Sequence, residues 1–195
     1  LQQIPHDSQL AIVDSLPLPV CRFARAYRCR HFPGEVAYGK DTLTRQTFYG
    51  FRLHVRLAWP GVITRFALAP ANVHELTLVP ELVEQTTGFV VGDRNYWQPT
   101  LATELQQRGL VLLAPYRWAS RDPHPRHSAF LSRIRYRIDT VFGQLVERCA
   151  IKRVWARDAW HLWNRLLRVV LMHTLGVWLN AHEDRPPLHL AALVA

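Results

Sequence analysis

The chain has 195 residues, 49% of them hydrophobic, enough for one domain with its own core. No apolar run reaches the roughly 20 residues of a membrane span, and residues 1–7 lack the basic and apolar regions of a secretory leader, so neither is expected. With 24 Lys and Arg against 15 Asp and Glu the formal charge is +9, which favours a polyanionic partner, and the three scattered cysteines point away from a disulfide framework and towards a reducing, cytoplasmic compartment.

Residues 10–14, Leu-Ala-Ile-Val-Asp, read as a short buried strand that ends in an acid and is stopped by Pro17 and Pro19. The next stretch, 21–30, is basic and aromatic, with Arg22, Arg25, Arg28 and Arg30 around Phe23 and Tyr27, and its pattern fixes no element. Residues 48–59 and 62–68 are β-rich runs split by Pro60-Gly61, the signature of a hairpin. The spacing of Leu76, Val79, Leu82 and Val83 predicts a helix over 74–85. A second buried strand, 89–93, again ends in an acid. A helix over 99–108 opens on Pro99 and is followed by Gly109; a buried strand follows at 110–114. Residues 120–127, with Pro123 and Pro125, read as a mobile loop whose Arg121 and Arg126 would order on DNA. Two long helices close the domain: 128–148, with its stripe of Leu131, Ile134, Ile138, Val141, Phe142 and Leu145, and 158–180, with Asp158 as N-cap. The order predicts an α/β domain over residues 1–182, a central sheet covered by helices, with a Pro-rich then apolar tail over 183–195.

Two acids closing two buried strands suit a two-metal phosphoryl-transfer site, because carboxylates at neighbouring strand ends can converge on divalent ions about 4 Å apart. Asp14 and Asp93 fit those two positions, and Asp139 on the 128–148 helix fits a third. Spacing alone leaves turn-capping or surface roles open for the same residues. Glu147 lies two turns beyond Asp139, roughly 12 Å further along the axis, and is expected at the surface. No Gly-rich phosphate loop, Gly-x-Ser-x-Gly or His-Glu-x-x-His motif is present, which leaves nucleotide hydrolysis, serine hydrolysis and zinc proteolysis without support. The Cys21/Cys29 spacing matches no zinc-ligand pattern.

The segments Val13-Asp14-Ser15-Leu16-Pro17, Tyr49-Gly50-Phe51-Arg52-Leu53-His54, Pro70-Ala71-Asn72-Val73-His74-Glu75, Gly92-Asp93-Arg94-Asn95-Tyr96 and Arg137-Ile138-Asp139-Thr140-Val141-Phe142-Gly143-Gln144-Leu145, followed by Val154-Trp155-Ala156-Arg157-Asp158, together resemble bacterial insertion-sequence transposases of the DDE class. The resemblance covers most of residues 10–180 in order. It implies a ribonuclease-H-like mixed central sheet flanked by helices, Asp14, Asp93 and Asp139 as the acid triad, and two Mg2+ or Mn2+ ions as cofactors. It also implies double-stranded DNA, at transposon ends and target, as partner, a homo-oligomer on that DNA, and the bacterial cytoplasm and nucleoid as location. The chain departs from the family at three points: Asn95 stands where Gly is usual, Asp139 stands where Glu is usual, and the family's N-terminal helical region is absent. Asn tolerates the left-handed backbone such a turn would need; Asp139 sets its carboxylate back by about 1 Å, the length of one methylene.

Around the acids, Arg94 is the expected phosphate contact; Arg135, one helical turn before Asp139, either contacts a phosphate as well or simply pairs with Asp139 on the helix surface. Arg22, Arg25 and Arg28, interleaved with aromatics, resemble a surface that tracks a DNA strand, and a solvated basic face is the competing reading. Tyr96 is open between packing and stacking. Trp155, Trp160, Trp163 and Trp178 are expected as core or helix-packing residues, and Gly143 as a point of close approach for DNA or another helix. The function implied is metal-dependent phosphodiester hydrolysis and strand transfer at transposon ends. A decayed remnant that binds DNA without cutting it, and a related nuclease for RNA–DNA hybrids, are the alternatives.

Overall fold

The computed structural model describes residue 4 and residues 6–41 and 44–193. The leader reading rests partly on residues 1–3 and 5, and the end of the apolar tail on residues 194–195, all outside the described residues. Six strands form one mixed sheet: β1 (Asp7–Pro19), β2 (Ala37–Lys40), β3 (Thr47–Trp59), β4 (Val62–Pro70), β5 (Gly88–Val91) and β6 (Leu110–Leu113), in the order β2-β3-β1-β5-β6 with β4 also on β3. β2 and β4 share one edge of β3, pairing residues 47–50 and 51–58 respectively. The pairs of β3 with β1, β2 and β4 are antiparallel, whereas β1–β5 and β5–β6 are parallel. β1 is thus the strand at which the sheet changes sense.

Period-2 alternation along β1 sorts its side chains onto two faces. Ile12, Leu16 and Leu18 join Leu53, Val55 and Leu57 of β3 in a core covered by the two long helices, α3 (Pro125–Glu147) and α4 (Ala159–His182). Ala11 and Val13 face a smaller core with Val79 and Val83, Tyr96, and Leu101 and Leu105 of α2 (Pro99–Gln107). Val90 and Val91 of β5 and Leu110 of β6 are buried, whereas Phe89 and Val111, equally apolar in the sequence, are exposed.

Several expectations are corrected. β1 does not stop before Pro17 and Pro19 but runs through both. The Val20 N–H donates to the Tyr49 carbonyl of β3, so by alternation the nitrogens of residues 17 and 19 face away from β3. β1 pairs with β5 only through Leu10, Ala11 and Ile12, so that side is an open edge, where a proline breaks no ladder bond. Asp14 therefore lies within β1, not at its end. Residues 74–85 form a 3-10 turn (Glu75–Leu78) and one short helix, α1 (Val79–Leu82), with a proline in its first turn. The unassigned basic stretch is a 3-10 turn, Phe23–Arg28. Pro125, Arg126 and His127 belong to the first turn of α3, with Pro at its start where a missing N–H costs nothing. Trp155 and Trp160 are 74% and 69% exposed, not packed in the core; Trp155 lies between the guanidinium groups of Arg153 and Arg165, 6.0 and 4.9 Å from its ring centre. Asp158 caps α4 as expected, accepting from the His161 N–H at 3.0 Å. Beyond α4 the chain folds back, Leu188 buried and its carbonyl accepting from Gln144 of α3 at 2.6 Å. Among the described residues no helix is long and apolar enough to cross a membrane.

Candidate active site

A cleft of about 810 Å3 opens at the carboxyl-end side of β5, between the sheet and α3. Asp14, Asp93, Asp139, Arg94 and Arg135 all line it, together with Glu75, Arg52 and Lys152. Six acidic and four basic side chains meet there, so the cleft is net negative inside a chain of charge +9. Arg22, Arg25 and Arg28 are exposed on the Phe23–Arg28 turn and lie outside the cleft.

Each acid has a distinct setting. One oxygen of Asp14 accepts from the Ser15 N–H at 2.8 Å and the other from Arg135 at 2.8 Å. Burial, reinforced by the negative charge of Asp93, pushes the Asp14 carboxyl up to about 7 in spite of those two donors. Asp93 caps the 3-10 turn Arg94–Tyr96; its oxygens accept from the Asn95 N–H at 2.8 Å and the Asn95 amide at 3.0 Å. Its carboxyl is also raised, chiefly by burial. Asp139 binds Arg135 through both oxygens, at 3.1 and 2.9 Å, so one guanidinium bridges the acids of β1 and α3. The position of Asn95 differs from expectation: its φ is not positive, and its amide holds the neighbouring carboxylate instead.

Behind the acids lies a polar layer that sequence reasoning gave no role. Glu75 accepts from the Ser15 hydroxyl at 2.7 Å and from Arg52 at 3.0 Å, and Arg52 also donates to the Lys40 carbonyl. Arg52 is only 8% exposed, although alternation along a strand would normally send a charged residue to solvent. The signal for this pair was the Pro70–Glu75 motif, whose acid carried no spacing to the other three. Tyr96 is fully buried under the cluster, which settles it as packing; burial and the nearby acids push its hydroxyl well up. Glu147 is exposed as expected, yet it also lines the cleft. Gly143 has no neighbour within 4 Å of where a Cβ would stand, so no helix of this chain approaches it.

The donor set is all oxygen, which suits hard divalent cations rather than zinc. The buried Asp14 beside Asp93, with a carboxyl that resists ionising, is a place where a cation would relieve repulsion. Asp139 is held by Arg135, and among the described residues no three side chains stand ready around one ion. The oxygen donors fit a metal in kind, and Asp14 and Asp139 would both have to exchange the Arg135 guanidinium for it.

A family model described as a transposase DDE domain matches residues 5–159. No curated protein and no solved structure matches the chain. The matched span contains all three acids, the three arginines of the cleft and every strand of the sheet, so the chain belongs to the transposase DDE-domain family.

Proposed function

We propose that this chain is the ribonuclease-H-like catalytic domain of a bacterial insertion-sequence transposase, hydrolysing a phosphodiester at transposon ends and directing the freed 3′-hydroxyl onto target DNA. The observation that carries this reading is the convergence of Asp14, Asp93 and Asp139 on one cleft from β1, the β5 turn and α3. Two Mg2+ or Mn2+ ions held by these acids would activate the attacking oxygen and stabilise the leaving one. The mixed sheet with helices on both faces supports the ribonuclease-H-like assignment for residues 1–182, with residues 183–195 as an appended tail.

The protein's own groups orient the DNA. Arg94 and Lys152 line the cleft, where they would bind phosphates flanking the scissile bond. Arg135 holds Asp14 and Asp139 until substrate and metal enter, then is free to bind phosphate. Gly143 leaves the α3 wall open to the backbone. Arg22, Arg25 and Arg28 would follow the duplex outside the cleft. Self-association on DNA is supported by α4, which exposes Leu167, Leu171, Met172, Leu175 and Leu179 along one side. A bacterial cytoplasmic, nucleoid-associated location follows from that partner and from the three free cysteines.

One observation favours the second reading, a DNA-binding remnant without catalysis: the short Asp139 side chain has both oxygens on Arg135. Metal-dependent nicking of supercoiled plasmid separates the two. Cutting in Mn2+ that disappears in Asp93→Ala establishes the transposase reading, with Asp139 a working ligand. Cutting only by Asp139→Glu establishes the remnant. Equal or better cutting of RNA–DNA hybrid would move the assignment to a different nuclease.

A further inference from the structure

At the opposite end of β1 from Asp14 lies a second cavity, of about 210 Å3, between the start of β1, the end of β3 and the loop 84–87 that precedes β5. Among the described residues no acidic side chain lines it; Arg56, His6 and the hydroxyls of Ser8, Thr64, Thr86 and Thr87 do. In charge it is the inverse of the acid cleft.

The cations beside it are not balanced within the fold. Arg56 of β3 stands directly opposite Arg65 of β4 in the antiparallel register, and like charges so placed repel. One carboxylate serves the two guanidinium groups. Glu84 pairs with Arg65 at 2.7 Å, and Arg56 has no ion-pair partner among the described residues. Arg56 is half-buried, and burial, with the charge of Arg65, holds its guanidinium below the ordinary arginine value. A partly desolvated cation without a counter-ion is costly to the fold.

The groups around Arg56 leave donors free. Its Nε donates to the Thr64 hydroxyl at 2.9 Å, and its Nη1 to the Thr86 hydroxyl and, at 3.4 Å, to the Glu84 carbonyl. Its Nη2 has no partner among the described residues. The Thr86 hydroxyl accepts from Arg56 and the Thr87 hydroxyl from the Gln9 amide at 3.2 Å, so each keeps its own hydrogen to donate elsewhere. Between Glu84 and Thr86, Gln85 holds a φ of 58°, in the left-handed region that a side chain other than Asn or Asp seldom adopts. An acid-free pocket with a forked cation and free hydroxyl donors suits a tetrahedral oxyanion.

We propose that this pocket is a phosphate-binding site remote from the acids, and that a backbone phosphate of bound duplex DNA fills it. Six residues of β1 separate Ser8 from Asp14, roughly 20 Å of strand, which is the length of about six base pairs. The DNA source of the phosphate rests on the reading of the cleft as a DNA-cutting site; the chemistry of the pocket does not.

The test uses the chain in chelator with two probes, inorganic phosphate and a duplex. Phosphate is expected to raise the melting temperature of wild type above its value in chloride of equal ionic strength. Arg56→Gln should abolish that difference, and Thr87→Val, an exposed position that leaves the arginine pair in place, should reduce it. An equal rise in all three proteins is general salt stabilisation and overturns the site; if Arg56→Gln does not fold, an undiminished rise in Thr87→Val overturns it. With duplex, Arg56→Gln should lower the log–log salt slope of affinity by about one, and Arg56→Lys should keep it. Lost phosphate stabilisation with an unchanged slope overturns the DNA source and assigns the pocket to free phosphate. Plasmid nicking without any effect of Arg56 leaves the catalytic reading and removes the site. Both effects in a chain that never nicks leave the site and remove the catalytic reading.

Discussion

His173 is 1% exposed within α4, its Nε2 3.2 Å from the Gln144 side chain, and burial holds its imidazole down to about 4. His54, buried in β3 near Arg52, is likewise held to about 4. Both are neutral in the fold and charge more readily when unfolded. Their contribution to stability is thus complete above the ordinary histidine value of about 6.5 and is lost as pH falls from there through about 4. Urea unfolding should accordingly show His173→Gln gaining stability relative to wild type as pH falls from about 7.5 to about 4.5; parallel pH profiles would refute the assignment. The same cause acts in the opposite direction on the acid: burial, with Asp93, pushes Asp14 up to about 7, so its protonation favours the fold as pH falls. Arg135 and Asn95 are the residues that make this crowding tolerable, one bridging Asp14 to Asp139 and the other saturating Asp93.

The turn after β5 depends on a close approach. A Cβ on Gly92 would stand 2.5 Å from the Tyr96 ring, nearer than any real packing distance, so Tyr96 can lie under the acids only because residue 92 is glycine. Gly92→Ala should therefore displace the turn that carries Asp93 and Arg94. The expected cost is about 1–3 kcal/mol of stability, as for other overpacked cores, together with loss of nicking, read by thermal melting beside plasmid cutting. Gly143 is the contrast: it lines the cleft with open space where a Cβ would stand, so no packing within the described residues requires glycine there. β1 shows how an element's neighbours set its limits. Its two prolines, which alone would end a strand, are tolerated because only one of its edges is paired there.

For the molecule as a whole, charge and apolar surface are segregated. The acids gather in the cleft while Arg22, Arg25 and Arg28 stand outside it, so affinity for duplex should fall with salt and the outer arginines should set part of the slope. Replacing all three with alanine is expected to weaken binding of unrelated duplexes alike and to reduce the log–log salt slope by about one for each phosphate these arginines neutralise; an unchanged slope would place them off the DNA. The exposed face of α4 bears on assembly. If it joins two copies, Leu171→Glu with Leu175→Glu should lower the mass seen by sedimentation in the presence of DNA, and an unaltered mass would assign assembly elsewhere.

The sequence by itself determined most of the order of strands and helices, the apolar stripe of α3 and the Asp158 cap, because each is written in local periodicity or a capping residue, whereas the choice of the three acids and two arginines came from the resemblance of contiguous motifs. Only the tertiary structure decided that Asp14 sits inside a strand, that Arg135 spans two acids 125 positions apart in the chain, that Glu75 and Arg52 lie behind them, and that Arg56 stands opposite Arg65 beside the loop 84–87. Those facts depend on which strand edges are paired and which loops emerge at the same end of the sheet. Long-range pairing fixes both, and no local spacing encodes it.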